Sequence, residues 1–352
     1  MYLYFYAIMY FFLSCCFSYA ESFEQASPFW MVKQIQEDLS SFYKKGVSKQ
    51  DLDSFMNERG SSLQLARFSI QKGEIQVLLS KKTGCALVRS SSIKVALDQL
   101  LAREEGLPDV DFIVCLEDSL DGQELDLPVF VFAKTASNAI LLPDFEVLAG
   151  HDHLLQEVLK GNYRYPWNRK KQKMIWRGAM TGGDFTCQNF LSYPRSKAIY
   201  YSLLFPSLIN ARFVGLNQCT ECDQIRSTYS DYFASSLSVF THMQCKYQLL
   251  IDGNSCAYSR AYWQLFSNCV TFKQESPAVQ WYYADLKPYV HYIPLQNDLS
   301  DLVEKLQWAK DHDREALQIS RQAQEFAKEH LSKESVLQYV YLLLKEYAAL
   351  QR

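Results

Sequence analysis

The chain has 352 residues, a formal net charge of −3 and an aromatic content of 14%. That length holds more than one hydrophobic core. The near-neutral charge, with no long basic run, argues against a nucleic-acid binder whose affinity comes from neutralising many phosphates. It leaves room for one diphosphate held by two or three arginines.

Residues 1–20, MYLYFYAIMYFFLSCCFSYA, carry no charged side chain. They read as a hydrophobic signal or anchor segment. Small residues precede Glu21, as at a signal-peptide end, and the run is just long enough to span a bilayer. No Lys or Arg comes before it, so its orientation stays open. Export and attachment at the cytoplasmic face of a membrane both follow from it. Cys15 and Cys16 in LSCC also give a weak lipobox pattern.

From Phe29 to Arg59 the helical period predicts two helices. LARFSIQKGEIQVLLS alternates on both sides of Lys72-Gly73 and predicts a β-hairpin. SIKVALDQLLAREEG predicts an amphipathic helix ending at Gly106, and DFIVCLED an apolar strand. PVFVFAK and AILLP predict two short strands. Residues 151–173, polar and basic, read as an interdomain linker. KMIWRGA, ARFVGLN, QLLI, CVTFKQ and HYIPL predict strands, and PRSKAIYYSLL and SRAYWQLF predict helices between them. Strands alternating with helices point to a parallel α/β sheet. Two long helices are predicted to close the chain.

The cysteines after the leader are irregularly spaced and read as buried free thiols. Cys219 and Cys222 form one CxxC. It has no second pair to complete a zinc site and no thioredoxin-like βαβ unit around it.

Two strand-then-glycine elements carry the chemistry. The first, KMIWRGAMTGG, contains Trp176, Arg177, Gly178, Ala179, Thr181, Gly182 and Gly183. The second, KYQLLIDGNSCAYSR, runs through Asp252 and Gly253 to Arg260 at a helix start. Small residues let backbone N–H groups approach a ligand, and a helix N-terminus favours anions. The Arg260 guanidinium is forked to match phosphate oxygens. Together they suggest a bound diphosphate and hence a nucleotide-linked substrate.

Several other residues have two readings. Asp118 ends an apolar strand, where α/β folds hold ligands, and it serves there as a base or as a loop cap. Glu117 should point to the opposite face. Asp109 and Asp111 form a DxD, better explained by a turn than by a metal. Trp176 and His291 read as core residues. Asp298 and Ser300 are N-cap candidates for the next helix.

Four blocks in order and spacing resemble glycosyltransferase family 90, the Rumi-type protein O-glucosyltransferase and capsule-associated-protein (CAP10 domain) family. They are LPDVDFIVCLED (107–118), PVFVFAKT ending at Lys134-Thr135, YPWNRKKQKMIWRGAMTG (165–182) and the run from KYQLLIDGNSCAYSR to LKPYVHYIPLQNDLSDL (246–302). The resemblance covers roughly residues 100 to 340; the first hundred residues resemble nothing nameable.

The resemblance implies an α/β, GT-B-like fold: two Rossmann-like domains facing a cleft, with C-terminal helices. Residues 21–165 would form the acceptor side. Residues 166–352 would form the nucleotide-sugar side with the closing helices. It also implies an inverting, metal-independent transfer from UDP-glucose, UDP-xylose or a related UDP-sugar, with no cofactor. Asp118 matches the family's general base. Gly253, Ser255, Tyr258, Ser259 and Arg260 match one donor-binding segment, and Arg177, Gly178, Ala179 and Thr181 the other. Ala179 stands where eukaryotic relatives have serine, with Thr181 as the replacement hydroxyl. Asp184 and Phe185 stand where those relatives have an arginine, and Arg195 is the candidate substitute phosphate contact. The acceptor is a hydroxyl of a glycan, a lipopolysaccharide or a protein. The alternatives are a catalytically inactive sugar- or nucleotide-binding protein, and a membrane-anchored interaction protein, on the same fold. The ending AALQR lacks the KDEL-like tail of ER-lumenal members, as in a bacterial-type relative.

Overall fold

The computed structural model describes residue 23 and residues 27–352, apart from 104–105, 119, 122–124, 136–137 and 151. The hydrophobic segment 1–20 lies outside the described residues. Among those described, no helix is long and apolar enough to cross a membrane.

Helices α1 (Phe29–Leu39) and α2 (Lys49–Arg59) come first, as the periodicity predicts. Ser48 and Asp51 close a reciprocal capping box on α2, a feature that contributes about 1 kcal/mol. Strands β1 (Leu65–Gln71) and β2 (Glu74–Leu79) form the predicted hairpin. Lys72 and Gly73 have φ of 50° and 79°, the backbone of a two-residue primed turn. Helix α3 (Gly84–Leu101) begins eight residues before the predicted start at Ser92, because Thr83 caps the Ala86 N–H. Strands β3 (Val110–Cys115), β4 (Leu120–Asp121), β5 (Val129–Val131), β6 (Lys134–Thr135) and β7 (Ile140–Leu141) lead to the short helix α4 (Phe145–Leu148).

The first sheet has the order β2-β1-β3-β5-β7. It is antiparallel across β2, β1 and β3 and parallel from β3 onward. β4 and β6 pair separately. Asp111 lies inside β3, where Arg67 grips its carboxylate through Nε at 2.7 Å and Nη2 at 2.6 Å. Asp109 accepts the Lys72 N–H of the hairpin turn. Turn formation and ion pairing thus account for the DxD. Among the described residues, no three His, Cys, Asp or Glu side chains gather as a metal-ligating set.

Residues 152–173 of the segment read as an interdomain linker are largely regular in structure. They contain α5 (Asp152–Arg164), which buries Val158 and Gly161. A Cβ on Gly161 would lie 2.3 Å from the Met243 sulfur, so the helix packs closely. Its polar, basic sequence hides a narrow buried stripe.

The second half runs β8 (Lys171–Met180), α6 (Pro194–Leu204), β9 (Ile209–Leu216), α7 (Cys222–Thr228), α8 (Val239–His242), β10 (Cys245–Leu250), α9 (Tyr258–Phe266), β11 (Val270–Gln274) and β12 (Ile293–Leu295). Its sheet is entirely parallel, in the order β12-β11-β10-β8-β9. Three helices close the chain, where the sequence suggested two: α10 (Leu302–Asp311), α11 (Asp313–His330) and α12 (Lys333–Ala348). His312, at φ −114° and ψ 54°, breaks the first long run.

One core surrounds the first sheet and takes in Phe326 of α11 and Tyr339, Leu343 and Tyr347 of α12. The other surrounds Trp176, Phe213, Tyr247 and Phe272 and takes in Ile319 of α11. Helix α11 therefore bridges the two cores, and α12 packs with the first sheet. Cys219 and Cys222 are joined in a disulfide rather than being free thiols. The turn entering α7 brings their Cα atoms to 5.3 Å, within disulfide reach.

Candidate active site

In the parallel sheet, β8 leads outward to β9, whereas β10 leads the other way to β11 and β12. Ligands of such sheets bind outside the carboxyl ends of the strands at this reversal. The two glycine-bearing loops emerge there, after β8 and after β10.

The loops touch. Gly182 has φ 99°, and a Cβ on it would lie 2.9 Å from the Gly253 carbonyl oxygen. A Cβ on Gly253 would lie 2.5 Å from Thr181 Oγ1 and 2.7 Å from Arg195 Nη2. Gly178 answers to packing: its Cβ would meet the Trp176 ring at 2.4 Å. Trp176 is fully buried, as the sequence suggested.

Arg195 ties the loops together. Its Nη1 donates to the Ala179 carbonyl and to Thr181 Oγ1, both at 2.7 Å. Its Nε donates to the Asp252 carbonyl at 3.0 Å and its Nη2 to Ile251 O at 3.2 Å. Asp252 is held in turn by the Ala257 N–H and the Ser276 hydroxyl. Thr181, Gly182, Arg195, Asp252, Gly253 and Ser255 line a cavity of about 210 Å³ together with Thr135, Gln274, Ser276 and Asn297.

Three guanidiniums surround Trp176. Arg177 is bound to β9, donating to Asn210 O at 3.0 Å and to its Oδ1 at 3.1 Å. Arg195 and Arg260 lie 5.6 Å and 5.9 Å from the Trp176 ring. Among the described residues, Arg260 makes one hydrogen bond, from Nη2 to the Arg177 carbonyl. Burial pushes Arg260 down to about 10, with the charge of Arg195 adding to the effect; burial also pushes Arg195 to about 10. Both remain cations at neutral pH. Among the described residues, no ion pair to a carboxylate involves Arg177, Arg195 or Arg260. Half-buried positive charge without a bonded counterion suits an anionic ligand.

Asp118 faces these loops from the first sheet, just past β3. Arg89 Nη2 of α3 donates to its Oδ1 at 2.6 Å. Arg89 also donates to the Leu116 carbonyl and lies 4.4 Å from the Phe145 ring. From the other half, Asn254 Nδ2 donates to Asp118 Oδ2 at 3.0 Å, and the Tyr258 hydroxyl donates to the Asp118 carbonyl. Glu117 turns away and accepts the Gln64 N–H. The anion at the start of α9 is internal: Glu146 Oε2 accepts the Ser259 N–H at 3.0 Å.

The sequence-predicted residues Asp118, Thr181, Gly253, Ser255 and Tyr258 therefore gather at one cleft. Ala179 contributes its carbonyl to Arg195, while Arg177, Gly178 and Arg260 lie around Trp176 behind the loops. Ser255 is buried, and its carbonyl accepts the Gly253 N–H at 3.0 Å. Asp184 accepts from the Thr220 hydroxyl. His291 is a core residue: its Nδ1 accepts the Lys287 N–H, its ring packs on Phe326, and burial pushes it down to about 4. Asp298 caps the Ser300 N–H rather than α10 itself. Arg89, Glu146 and Asn254 were not singled out from the sequence. Each acts on a partner 29 to 136 residues away; Arg89 and Glu146 lie outside the quoted motifs, and Asn254 lies within KYQLLIDGNSCAYSR but was not picked out there.

Protein O-glucosyltransferase 2 of Danio rerio is 31% identical over 330 residues, which is 90% of this chain and 62% of that protein. Protein O-glucosyltransferase 3 of Rattus norvegicus is 28% identical over 282 residues, 76% of this chain and 52% of that protein. The chain thus spans about half to three fifths of these two relatives. Protein O-glucosyltransferase 1 of Homo sapiens is 25% identical over 334 residues, 89% of this chain and 78% of that protein. The sequence profile of glycosyl transferase family 90 matches residues 24–352, and the chain belongs to that family.

Proposed function

We propose that the chain is an inverting, metal-independent glycosyltransferase of GT-B type. It moves glucose, or xylose or a related sugar, from a UDP-sugar to a hydroxyl group. The observation that carries this reading is the pairing of two glycine loops and Arg260, which has no carboxylate partner among the described residues, with Asp118 facing the loops across the cleft. The donor side comprises residues 166–352 and the acceptor side residues 21–165, with α12 returning to the acceptor side. The names of the relatives make glucose the first donor to try and a protein hydroxyl the first acceptor. Glycan and lipopolysaccharide hydroxyls come next. The leader 1–20 would hold the enzyme at a membrane or direct its export.

In this mechanism the acceptor hydroxyl attacks the anomeric carbon as Asp118 takes its proton. The bond from that carbon to the UDP oxygen breaks, and the configuration inverts. Charge builds on the departing diphosphate. Arg260 and the N–H groups of the two loops offset it, with Arg195 fixing the loops. Arg177, Gly178 and Ala179 shape the floor beneath them.

A second reading, a sugar- or nucleotide-binding protein without turnover, is favoured by one observation. Glu146 already occupies the N–H of Ser259 at the start of α9, where a phosphate would otherwise sit.

The test is UDP release by the full chain from a panel of UDP-sugars with chelator present. Release from one donor, lost in Arg260→Ala and strongly reduced in Asp118→Asn, supports the transfer reading and names the sugar. UDP binding by calorimetry with no release from any donor, even with peptide and glycan acceptors, favours the second reading. Release that chelator abolishes would sink metal independence.

A further inference from the structure

Asn254 sits between the two halves of the site and touches both. Its Oδ1 accepts the Gly182 N–H at 3.1 Å, on the loop after β8. Its Nδ2 donates to Asp118 Oδ2 at 3.0 Å, beyond the first sheet. Gly182 also donates to Gln218 Oε1 at 2.9 Å, so its N–H is shared. The other carboxylate oxygen of Asp118 is taken by Arg89. Both oxygens of the proposed base are thus engaged while no acceptor is bound. One partner is a fixed cation buried against Phe145. The other is an exposed amide on a loop of small residues.

These contacts differ in how easily they can be exchanged. Arg89 is anchored three ways: by Asp118, by the Leu116 carbonyl and by the Phe145 ring. Among the described residues, the Asn254 side chain is held only by its two ends, and water can satisfy it when it swings out. An acceptor hydroxyl that is to give its proton to Asp118 needs a place on a carboxylate oxygen. Oδ2 is the oxygen whose present partner is easily replaced.

We propose that Asn254 is a positioning residue that acts as a placeholder for the acceptor hydroxyl, guarding Asp118 Oδ2 and coupling it to the donor loop at Gly182. The inference rests on the transfer reading above and deepens it. In the acceptor-free protein, the amide keeps water from taking the acceptor's place on the base. An arriving hydroxyl displaces Nδ2, and the released side chain loosens its hold on the Gly182 N–H. Acceptor binding is thereby felt at the donor loop, with no contact between acceptor and donor loop required.

Two measurements on the full chain test this. The first is UDP release from UDP-glucose with water as the only acceptor. Asn254→Ala is expected to raise it about three- to tenfold, the weight of one hydrogen bond. In an Asp118→Asn background the same substitution is expected to change it by less than about twofold, because the guarded base is gone. A merely structural role for Asn254 would give the same factor in both backgrounds. The second is backbone amide exchange over residues 181–184, which needs no turnover. Asp118→Ala, on the other half of the cleft, is expected to speed exchange there about as much as Asn254→Ala does.

The outcomes separate the two ideas. A wild-type chain that releases UDP, with Asn254→Ala no faster or equally altered in both backgrounds, overturns the placeholder and leaves the transfer reading standing. Exchange at 181–184 unaffected by Asp118→Ala overturns the coupling whatever the activity. A wild-type chain that neither binds UDP nor releases it overturns the transfer reading, and the placeholder role falls with it.

Discussion

The carboxyl edge of the parallel sheet carries glycine loops and guanidiniums, whereas the carboxyl edge of the mixed sheet carries one carboxylate and the arginine that orients it. The first edge is built by close approach. Gly182, Gly253 and Thr181 leave no room for extra atoms, and Arg195 binds four groups of the two loops at once. The second edge is built by side chains reaching over distance: Arg89 from α3, and Asn254 and Tyr258 from the other half. Under the proposed transfer, the preorganised edge would take the donor and the more adjustable edge the acceptor, which suits a reaction in which one substrate is fixed in kind and the other varies.

The sharpest way to break this comparison is at the carboxylate. Asp118→Asn should lower UDP release with acceptor by roughly a hundredfold to ten-thousandfold, the range for removing a general base, while UDP affinity by calorimetry stays within about twofold. A parallel loss of UDP affinity would mean that Asp118 belongs to donor binding. The next effect is on the other edge. Arg260→Ala should weaken UDP binding by about 1.5–3 kcal/mol, roughly ten- to a hundredfold, because a charge-assisted contact is lost. Arg260→Lys should recover only part of it, since an ammonium cannot present a forked pair of N–H groups. An unchanged UDP affinity in Arg260→Ala would remove Arg260 from the donor site.

A packing change sharpens the contrast further. Gly253→Ala would place a methyl group 2.5 Å from Thr181 Oγ1 and 2.7 Å from Arg195 Nη2, against a side chain already fixed by backbone carbonyls. The cost should be about 1–3 kcal/mol, read as a lowered Tm together with weaker UDP binding. A variant with normal Tm and normal UDP affinity would show that the loops yield easily and that the donor side is no more rigid than its counterpart.

The parallel sheet was the more legible half. KMIWRGA, QLLI and CVTFKQ are runs buried on both faces, and each is followed by small residues or a helix, so strand and loop declare themselves together. The predicted helix PRSKAIYYSLL coincides with α6, where Pro194 sits at the first turn. The hairpin was legible for the same local reason, at Lys72-Gly73. Features decided by distant partners were not. Helix α5 was hidden because its buried stripe is as small as Val158 and Gly161, and Met243 fills the space beside them. The break at His312 leaves no proline or glycine behind it. Arg195 was legible as an arginine near the site, but the sequence could not show that it spends its donors on loop carbonyls. Asn254 looked like one more small loop residue, since nothing within that loop reveals Asp118 on the facing sheet.

The smallest expected effect concerns Asp144, which caps α4 beside the mixed sheet. Its Oδ1 accepts the N–H groups of Glu146 and Val147, while Oδ2 is buried without a hydrogen-bond partner among the described residues. Burial raises its carboxyl from 3.8 to about 7, with the charge of Glu146 adding to the rise. A carboxyl whose folded value lies above its unfolded value keeps a proton that the unfolded chain has already lost. Folding is therefore increasingly disfavoured as pH climbs from about 4 to about 7, and the penalty is constant above that. Asp144→Asn keeps an oxygen for the two N–H groups and cannot ionise. Its Tm, compared with wild type, should gain most at pH 8 and least near pH 4, by a few degrees across the window. A difference that does not vary with pH would mean that the carboxyl is solvated in solution. The cap of α4 would then lack the buried, incompletely satisfied carboxylate oxygen that Asp144 presents here.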